Sequence, residues 1–247
     1  MILWFQGILT GLLAGFICGL FGMGGGSLMV PAIVYIFDFP IKQAVGTSLF
    51  VIIFSAISAL VNYIKHNKVN TKLVFFIVPA GIAGAQAGAF ITSRLSDVLV
   101  KYIFVLVITG LGIRMFFQKE NNDEICKEDA FNKIKALIIG LLSGFVSGLC
   151  GVGGAVLLIP LLYIFLKVPI HTCIGTAVVA ILFNAISGAT GYMVRGLVDF
   201  RTGIMLAIGS TVAAPLGAKI SIRTEKEKLR KIFAVVLMLS GIAVLLK

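Results

Sequence analysis

Two glycine clusters are the residues of this sequence whose types and spacing are best suited to binding chemistry. The first reads GMGGGS over 22–27 and the second reads GVGGA over 151–155. Neighbouring glycines let successive backbone N–H groups point the same way, which makes an anion-binding nest, and a helix that begins just downstream adds partial positive charge. We therefore predict a site for a small anion. Its predicted backbone donors are Gly24, Gly25, Gly26, Ser27, Gly153, Gly154 and Ala155.

Close helix packing is the alternative role for glycine in these segments. Gly11, Gly15, Gly19 and Gly22 recur every three or four residues, and the same spacing returns over 140–151. Small residues at that spacing allow two helices to approach closely in a membrane. We expect packing at these positions, and binding at the adjacent glycines, because a run of neighbours serves no single packing face.

Hydroxyl and amide side chains could complete such a site. Thr47 and Ser48 follow a glycine near the start of an apolar segment, and Thr176 does the same in the second half. Their hydroxyls either cap the next helices or face the solute. Asn184 lies within an apolar segment, where such a residue either bridges two helices or contacts a ligand. We include all four residues in the predicted site.

The ionisable residues argue against catalysis. Both histidines fall in predicted loops, and no acidic residue lies deep in an apolar segment. Intramembrane hydrolysis needs a histidine or paired carboxylates inside a span, and a nucleotide-binding loop needs a lysine after its glycines. We predict no enzyme activity, no bound metal and no cofactor. The absence of carboxylates inside the spans favours an anionic substrate over a cation.

The composition predicts that the elements holding this site lie in a lipid bilayer. Of 247 residues, 59% are hydrophobic and 13% are charged, whereas soluble domains carry about 25% charged residues. The net charge of +11 comes from Lys and Arg in short loops, as in cytoplasmic membrane loops. We therefore predict an all-α integral membrane protein of the cell membrane that crosses it several times and binds no nucleic acid.

Ten apolar segments are candidates for the membrane helices, and a full crossing needs about 20 residues. The second segment of each half is short and contains a proline, Pro31 or Pro160. These arms either cross fully or are re-entrant, and we favour re-entrant arms. The segments are 3–22, 28–39, 45–64, 73–93, 98–117, 135–151, 155–168, 172–194, 203–222 and 232–246.

The chain contains an internal repeat. Residues 11–31 read GLLAGFICGLFGMGGGSLMVP, and residues 140–160 read GLLSGFVSGLCGVGGAVLLIP. The same offset of 129 residues continues without a gap until it pairs Arg94 with Arg223, and such self-similarity indicates duplicated structural units. The predicted domains are a first repeat at 1–117, a linker at 118–134 and a second repeat at 135–247.

The distribution of charge favours a helical hairpin at each glycine cluster. With hairpins, most of the 21 Lys and Arg residues share one side of the membrane, whereas unbroken crossings divide them almost evenly. Cytoplasmic loops collect basic residues, so each repeat is predicted to be a glycine-bent hairpin plus three transmembrane helices. The two repeats then have inverted topology, as in many secondary transporters. Both termini are predicted outside and the 118–134 linker in the cytoplasm.

Four motifs carry a resemblance to a known family. They are GLFGMGGGSLMVP at 19–31, AVGTS at 44–48, GLCGVGGAVLLIP at 148–160 and CIGTA at 173–177. With these motifs the chain resembles the sulfite exporter TauE/SafE family over nearly its whole length. The resemblance implies a secondary transporter of small sulfur-containing anions (sulfite, sulfoacetate or related sulfonates) across the cytoplasmic membrane. The second repeat departs from the first at Ala155 and Ala177, so the resemblance implies its part in the site less firmly than that of the first repeat.

Two alternative functions stay open on the sequence. One is an anion channel of the same architecture, and the other is a membrane scaffold that transports nothing. The sequence also leaves open the particular anion, the direction of transport, the coupling ion and whether the chain forms a homo-oligomer.

Overall fold

The protein is built from α-helices. Its structure is a computed structural model that describes residues 2–22, 24–117 and 132–245, and these ranges contain no β-strand, which confirms the all-α class. The helices in these ranges are α1 (Ile2–Phe21), α2 (Gly26–Ile36), α3 (Ile41–Lys65), α4 (Thr71–Arg94), α5 (Asp97–Phe117), α6 (Lys133–Cys150), α7 (Ala155–Phe165), α8 (Ile170–Met193), α9 (Phe200–Arg223) and α10 (Lys226–Leu245).

Six helices in the described ranges are long and apolar enough to cross a membrane, which confirms the predicted membrane class. Their apolar side chains also point outward in large numbers, as expected of a surface that faces lipid. The apolar stretches of these helices are Trp4–Phe21, Ile41–Lys65, Thr71–Arg94, Lys133–Cys150, His171–Met193 and Phe200–Arg223.

The glycine clusters are the breaks between the two arms of each hairpin. Gly24 and Gly25 have φ values of 75° and 69°, and Gly153 and Gly154 have φ values of 75° and 82°. This left-handed conformation is costly for residues with a Cβ atom, and two such residues in a row end a helix. The chain therefore bends at the two glycine pairs and starts a new helix directly after each.

The second arms α2 and α7 are half the usual length of a membrane helix. Each has 11 residues, which at the α-helical rise gives about 16 Å, against a hydrocarbon core of about 30 Å. Pro31 and Pro160 lie inside these arms. Each proline removes one helical hydrogen bond. An arm of this length is suited to a re-entrant segment that ends near the middle of the bilayer.

Helix boundaries repeat at the offset found in the sequence. α2 and α7 begin at Gly26 and Ala155, and α5 and α10 begin at Asp97 and Lys226, each pair 129 residues apart. Residues 118–131 of the predicted linker at 118–134 lie outside the described residues, and its last two residues belong to α6. The domain boundaries stay predictions.

Each first arm packs along a helix of the other repeat. A methyl group placed on Gly15 of α1 would collide with the backbone of Ser210 in α9, and one placed on Gly19 would collide with Ala214. Because both numbers rise together, α1 and α9 run in the same direction. α6 packs on α4 in the same way through the corresponding glycines. The glycines therefore serve helix packing at these positions.

Helices α3 and α8 form the centre of the molecule and run in opposite directions. Gly46, near the start of α3, lies against Tyr192 at the end of α8, whereas Gly175, near the start of α8, lies against Lys68 after the end of α3. Both helices are largely buried. The two glycine bends lie beside this central pair.

Candidate functional site

The two glycine bends meet inside the protein. A methyl group placed on Gly26 would collide with the Gly151 carbonyl and would lie 2.7 Å from the Cα atom of Val152. Ile181 of α8 contacts both bends, because its Cγ2 atom would lie 3.1 Å from a methyl on Gly24 and 2.7 Å from one on Gly153. The described residues of both bends are buried. The structure thus brings the two predicted sets of backbone donors together.

Gly22 and Gly151, the first residues of the two clusters, donate to the carbonyls of Cys18 and Ser147, whereas the glycine pairs that follow have N–H groups without backbone partners among the described residues. The Gly25 carbonyl accepts a hydrogen bond from the Met29 N–H at 2.9 Å, and the Gly154 carbonyl accepts one from Leu158 at 3.0 Å. Unpaired N–H groups at a helix N-terminus attract negative charge. Within the described residues, the N–H groups at the bends that donate to no backbone carbonyl are those of Gly24, Gly25, Gly26, Val152, Gly153, Gly154 and Ala155.

Thr47 and Thr176 tie each central helix to a loop of the other repeat. The Thr47 hydroxyl oxygen accepts a hydrogen bond from the Asp199 N–H at 3.0 Å, and the Thr176 hydroxyl oxygen accepts one from the Asn70 N–H at 3.0 Å. Both threonines are fully buried. Each hydroxyl keeps its proton available as a donor, so a role in substrate binding stays a prediction for these two residues.

Ser48 clamps the second bend. Its hydroxyl lies 2.8 Å from the Gly151 carbonyl oxygen and 2.8 Å from the Val45 carbonyl oxygen, and it is fully buried. The corresponding position in the second repeat is Ala177, which has no hydroxyl to offer the first bend. Among the described residues, the second bend therefore has a hydrogen bond from α3 that the first bend lacks from α8. The Ser48 hydroxyl donates its proton to a backbone carbonyl and is not a free donor for a substrate.

Ser27 and Asn184 are fully buried and make no hydrogen bond within the described residues. Ser27 lies in the first turn of α2, directly after Gly26. Asn184 lies on α8 one turn beyond Ile181 and faces Gly81 of α4. Of the predicted side chains, these two have polar atoms that are buried and unpaired.

Three side chains at the bends were not selected from the sequence. Ile52 and Ile181, which correspond in the repeat, both contact Gly24, and Ser147 lies beside Gly154 with a buried, unpaired hydroxyl. The isoleucines look like ordinary core residues in a sequence. A comparison of the repeats would have pointed to Ser147, because it replaces Cys18 at the equivalent position.

The helices and the buried bends define a multi-pass α-helical membrane protein. The family model described as sulfite exporter TauE/SafE matches residues 7–244, and the chain belongs to this family. The chain is therefore a member of a family of membrane transporters.

Curated relatives cover nearly the whole chain. The chain is 27% identical over 259 residues to probable membrane transporter protein YunE of Bacillus subtilis strain 168, covering 95% of this chain and 94% of the relative. It is 28% identical over 255 residues to probable membrane transporter protein MJ0441 of Methanocaldococcus jannaschii, covering 97% and 94%. No solved structure matches the chain. The relatives support transport and name no substrate.

Proposed function

We propose that this protein is a secondary transporter that moves small sulfur-containing anions, such as sulfite, sulfoacetate or related sulfonates, across the cytoplasmic membrane. The observation that carries the proposal is the meeting of two buried bends whose N–H groups have no backbone partner. The family description supports a sulfur oxyanion as substrate. The substrate binds where the bends meet, and the N–H groups of Gly24 to Ser27 and of Gly153 to Ala155 are the candidate donors to its oxygen atoms.

The chemistry of the buried residues favours an anion with a single charge. No Lys, Arg, Asp, Glu or His is among the fully buried side chains of the described ranges. N–H and hydroxyl groups are good partners for oxyanions, but without a buried cation they compensate one negative charge better than two. Hydrogensulfite and sulfonates without a second acidic group, such as methanesulfonate, meet this condition. Sulfate carries two charges, and so does sulfoacetate with its ionised carboxyl group, so sulfoacetate ranks below the other proposed substrates on this ground.

We propose that the two repeats have inverted orientations, with both termini outside and the 118–134 linker in the cytoplasm. The opposite directions of α3 and α8 support this arrangement, since corresponding helices of the two repeats run oppositely only if the repeats are inverted. The matching directions of α1 and α9 agree with it. Inverted repeats that meet at broken helices are the plan of many secondary transporters.

A carrier fits the contacts better than a channel does. Ile181 lies beside both bends and Ile52 beside the first, and the described residues of the bends are buried. A carrier needs a closed state of this kind, whereas a channel needs a continuous path. We expect exchange of labelled sulfite for internal sulfite in liposomes containing the purified protein, with a rate that saturates. Large currents without saturation would favour the channel.

Gly24→Ala tests the site with a small change. The added methyl would lie 3.1 Å from Ile52 and Ile181, and the left-handed conformation would cost about 1–2 kcal/mol. A free-energy cost of about 1.4 kcal/mol corresponds to a factor of ten. We therefore expect the rate of exchange to fall about tenfold or more. Gly25 and Gly154 are poorer choices, because a methyl there would strike backbone carbonyls of α1 and α6 and would test folding.

Gly196→Ala is the matched control for that experiment. Gly196 has a φ of 68°, and a methyl on it would meet nothing within 4 Å. It therefore suffers the same conformational cost away from the bends and should keep its exchange activity. Equal loss of exchange in both variants would remove the assignment of the site to the bends.

A further inference from the structure

Three buried polar side chains near the bends have no hydrogen-bond partner among the described residues. They are Ser27, Ser147 and Asn184, and all three are fully buried. A buried polar group without a partner costs about 1–3 kcal/mol, and buried polar groups in proteins are nearly always paired. Such groups beside unpaired backbone N–H groups point to a ligand.

Ser147 borders the second bend, and Asn184 lies on α8 one turn beyond Ile181, which contacts Gly153 of that bend. A methyl placed on Gly154 would lie 3.2 Å from the Cβ atom of Ser147. Gly81 of α4 lies against both Asn184 and Gly144, and Gly144 is one helical turn before Ser147 on α6. The two unpaired side chains thus share one neighbourhood, where α4, α6 and α8 meet the bend.

The equivalent positions of the first repeat are already satisfied. Cys18 corresponds to Ser147 and Ser55 to Asn184 by the offset of 129 residues. The Cys18 thiol donates to the Ser55 hydroxyl at 3.4 Å, and the Ser55 hydroxyl donates to the Ile52 carbonyl at 3.1 Å. The donors of this pair are used within the protein, so the first bend has less to offer a ligand.

The residues at the equivalent positions 81 and 210 also differ in size between the two repeats. The α9 residue that corresponds to Gly81 of α4 is Ser210, whose hydroxyl donates to the Ala207 carbonyl at 3.1 Å. Opposite Asn184, the corresponding residue of α4 is Gly81, and a methyl there would collide with the amide oxygen of Asn184. Because Gly81 has no side chain, the larger Asn184 amide fits beside α4. Its nitrogen and oxygen atoms are both buried there without a hydrogen-bond partner among the described residues.

We propose that the anion binds off the centre of the molecule, against the second bend. The Ser147 hydroxyl, the Asn184 amide and the N–H groups of Gly153 and Gly154 are its donors. This inference rests on the proposed function, since it places the substrate of the same transporter. The sequence made the part of the first repeat in the site the firmer expectation, because a sequence does not show which hydroxyl groups are already paired.

Four variants in two matched pairs test the off-centre site. Asn184→Leu and Ser147→Ala remove the second-repeat donors, and Ser55→Ala and Cys18→Ala change the equivalent first-repeat residues. Binding of methanesulfonate and of sulfite is measured by calorimetry on the purified full chain in detergent. Thermal unfolding without ligand is followed by light scattering, which separates loss of binding from loss of folding.

We expect Asn184→Leu and Ser147→Ala to weaken binding about tenfold or more each, as for a lost hydrogen bond to a charged group. Their melting temperatures without ligand should stay level or rise, because each change removes an unpaired buried polar group. The first-repeat variants should keep their affinity within about twofold. This combination would support a ligand site over a structural role.

Other outcomes overturn the inference. If the first-repeat and second-repeat variants lose affinity equally, the anion binds midway between the two bends. The off-centre site is then wrong, and the proposed transport stands. Unchanged affinity in the second-repeat pair would show that water alone satisfies Ser147 and Asn184. If the unaltered protein binds neither methanesulfonate nor sulfite, the proposed substrate class fails and the off-centre site fails with it.

Discussion

The clamp between Ser48 and the second bend gives a prediction whose size follows from the structure. Ser48→Ala removes the only side-chain donor recorded for the Gly151 carbonyl among the described residues, at 2.8 Å in the buried interior. Leaving a buried carbonyl unpaired costs about 1–3 kcal/mol. For a protein of this size each kcal/mol lowers the melting temperature by about 2–4 °C. A cost of about 2 kcal/mol therefore predicts a fall of about 4–8 °C.

The chain provides its own reporter for this measurement. Cys18, Cys150 and Cys173 are free and buried, so a thiol-reactive dye reports unfolding as these thiols become exposed. Cys126→Ser leaves these three as the reporting thiols. The melting temperature is recorded on purified protein in detergent with and without Ser48→Ala.

Ser93→Ala is the control, because the exposed Ser93 hydroxyl donates only to the Phe90 carbonyl three residues earlier, at 2.7 Å. We expect this control to move the melting temperature by less than about 2 °C, since surface substitutions change stability by about 0.5 kcal/mol or less. A fall of that small size for Ser48→Ala would refute the clamp. It would mean that the Ser48 hydroxyl donates to the Val45 carbonyl and leaves the bend free.

Further predictions concern packing, symmetry and charge. Gly19→Ala should destabilise the protein by about 1–3 kcal/mol or more, because the added methyl overpacks against Ala214. Gly110→Ala should stabilise it by about 0.5–1 kcal/mol, because a methyl there meets nothing within 4 Å. Thermal unfolding measures both changes. Tyr63→Phe and Tyr192→Phe should destabilise equally, by about 1 kcal/mol, because each hydroxyl donates to a buried carbonyl at 2.8 Å, and a clear inequality would contradict equivalent repeats. Methanesulfonate should bind about tenfold more tightly than sulfate, because the buried donors are uncharged; calorimetry that finds sulfate stronger would contradict the single-charge argument.

Most of the fold could be predicted from the sequence, because glycine runs and apolar lengths act locally. The second arms at 28–39 and 155–168 were located within a few residues of α2 and α7. The start of α10 was placed at 232 and lies at Lys226. The first turns of α10 are charged. The prediction located apolar residues, so it missed these turns and placed the start of the helix too late.

The site was less accessible to sequence reasoning. The glycine bends could be recognised, since adjacent glycines serve no packing face. The partners of Thr47 and Thr176 could not, because each accepts from a loop of the other repeat, more than 100 residues away. The contrast between Asn184 and Ser55 needed the same knowledge, since only packing decides which polar group is paired.

The most direct test of the account is to observe the bend N–H groups while an anion binds. Isotope-labelled glycine is introduced into the full chain, and the amide signals are followed by NMR in micelles during titration with methanesulfonate. We expect saturable shifts for Gly153 and Gly154, and none for the packing glycine Gly15. Shifts that spare the bends, or that affect all glycines alike, would contradict it.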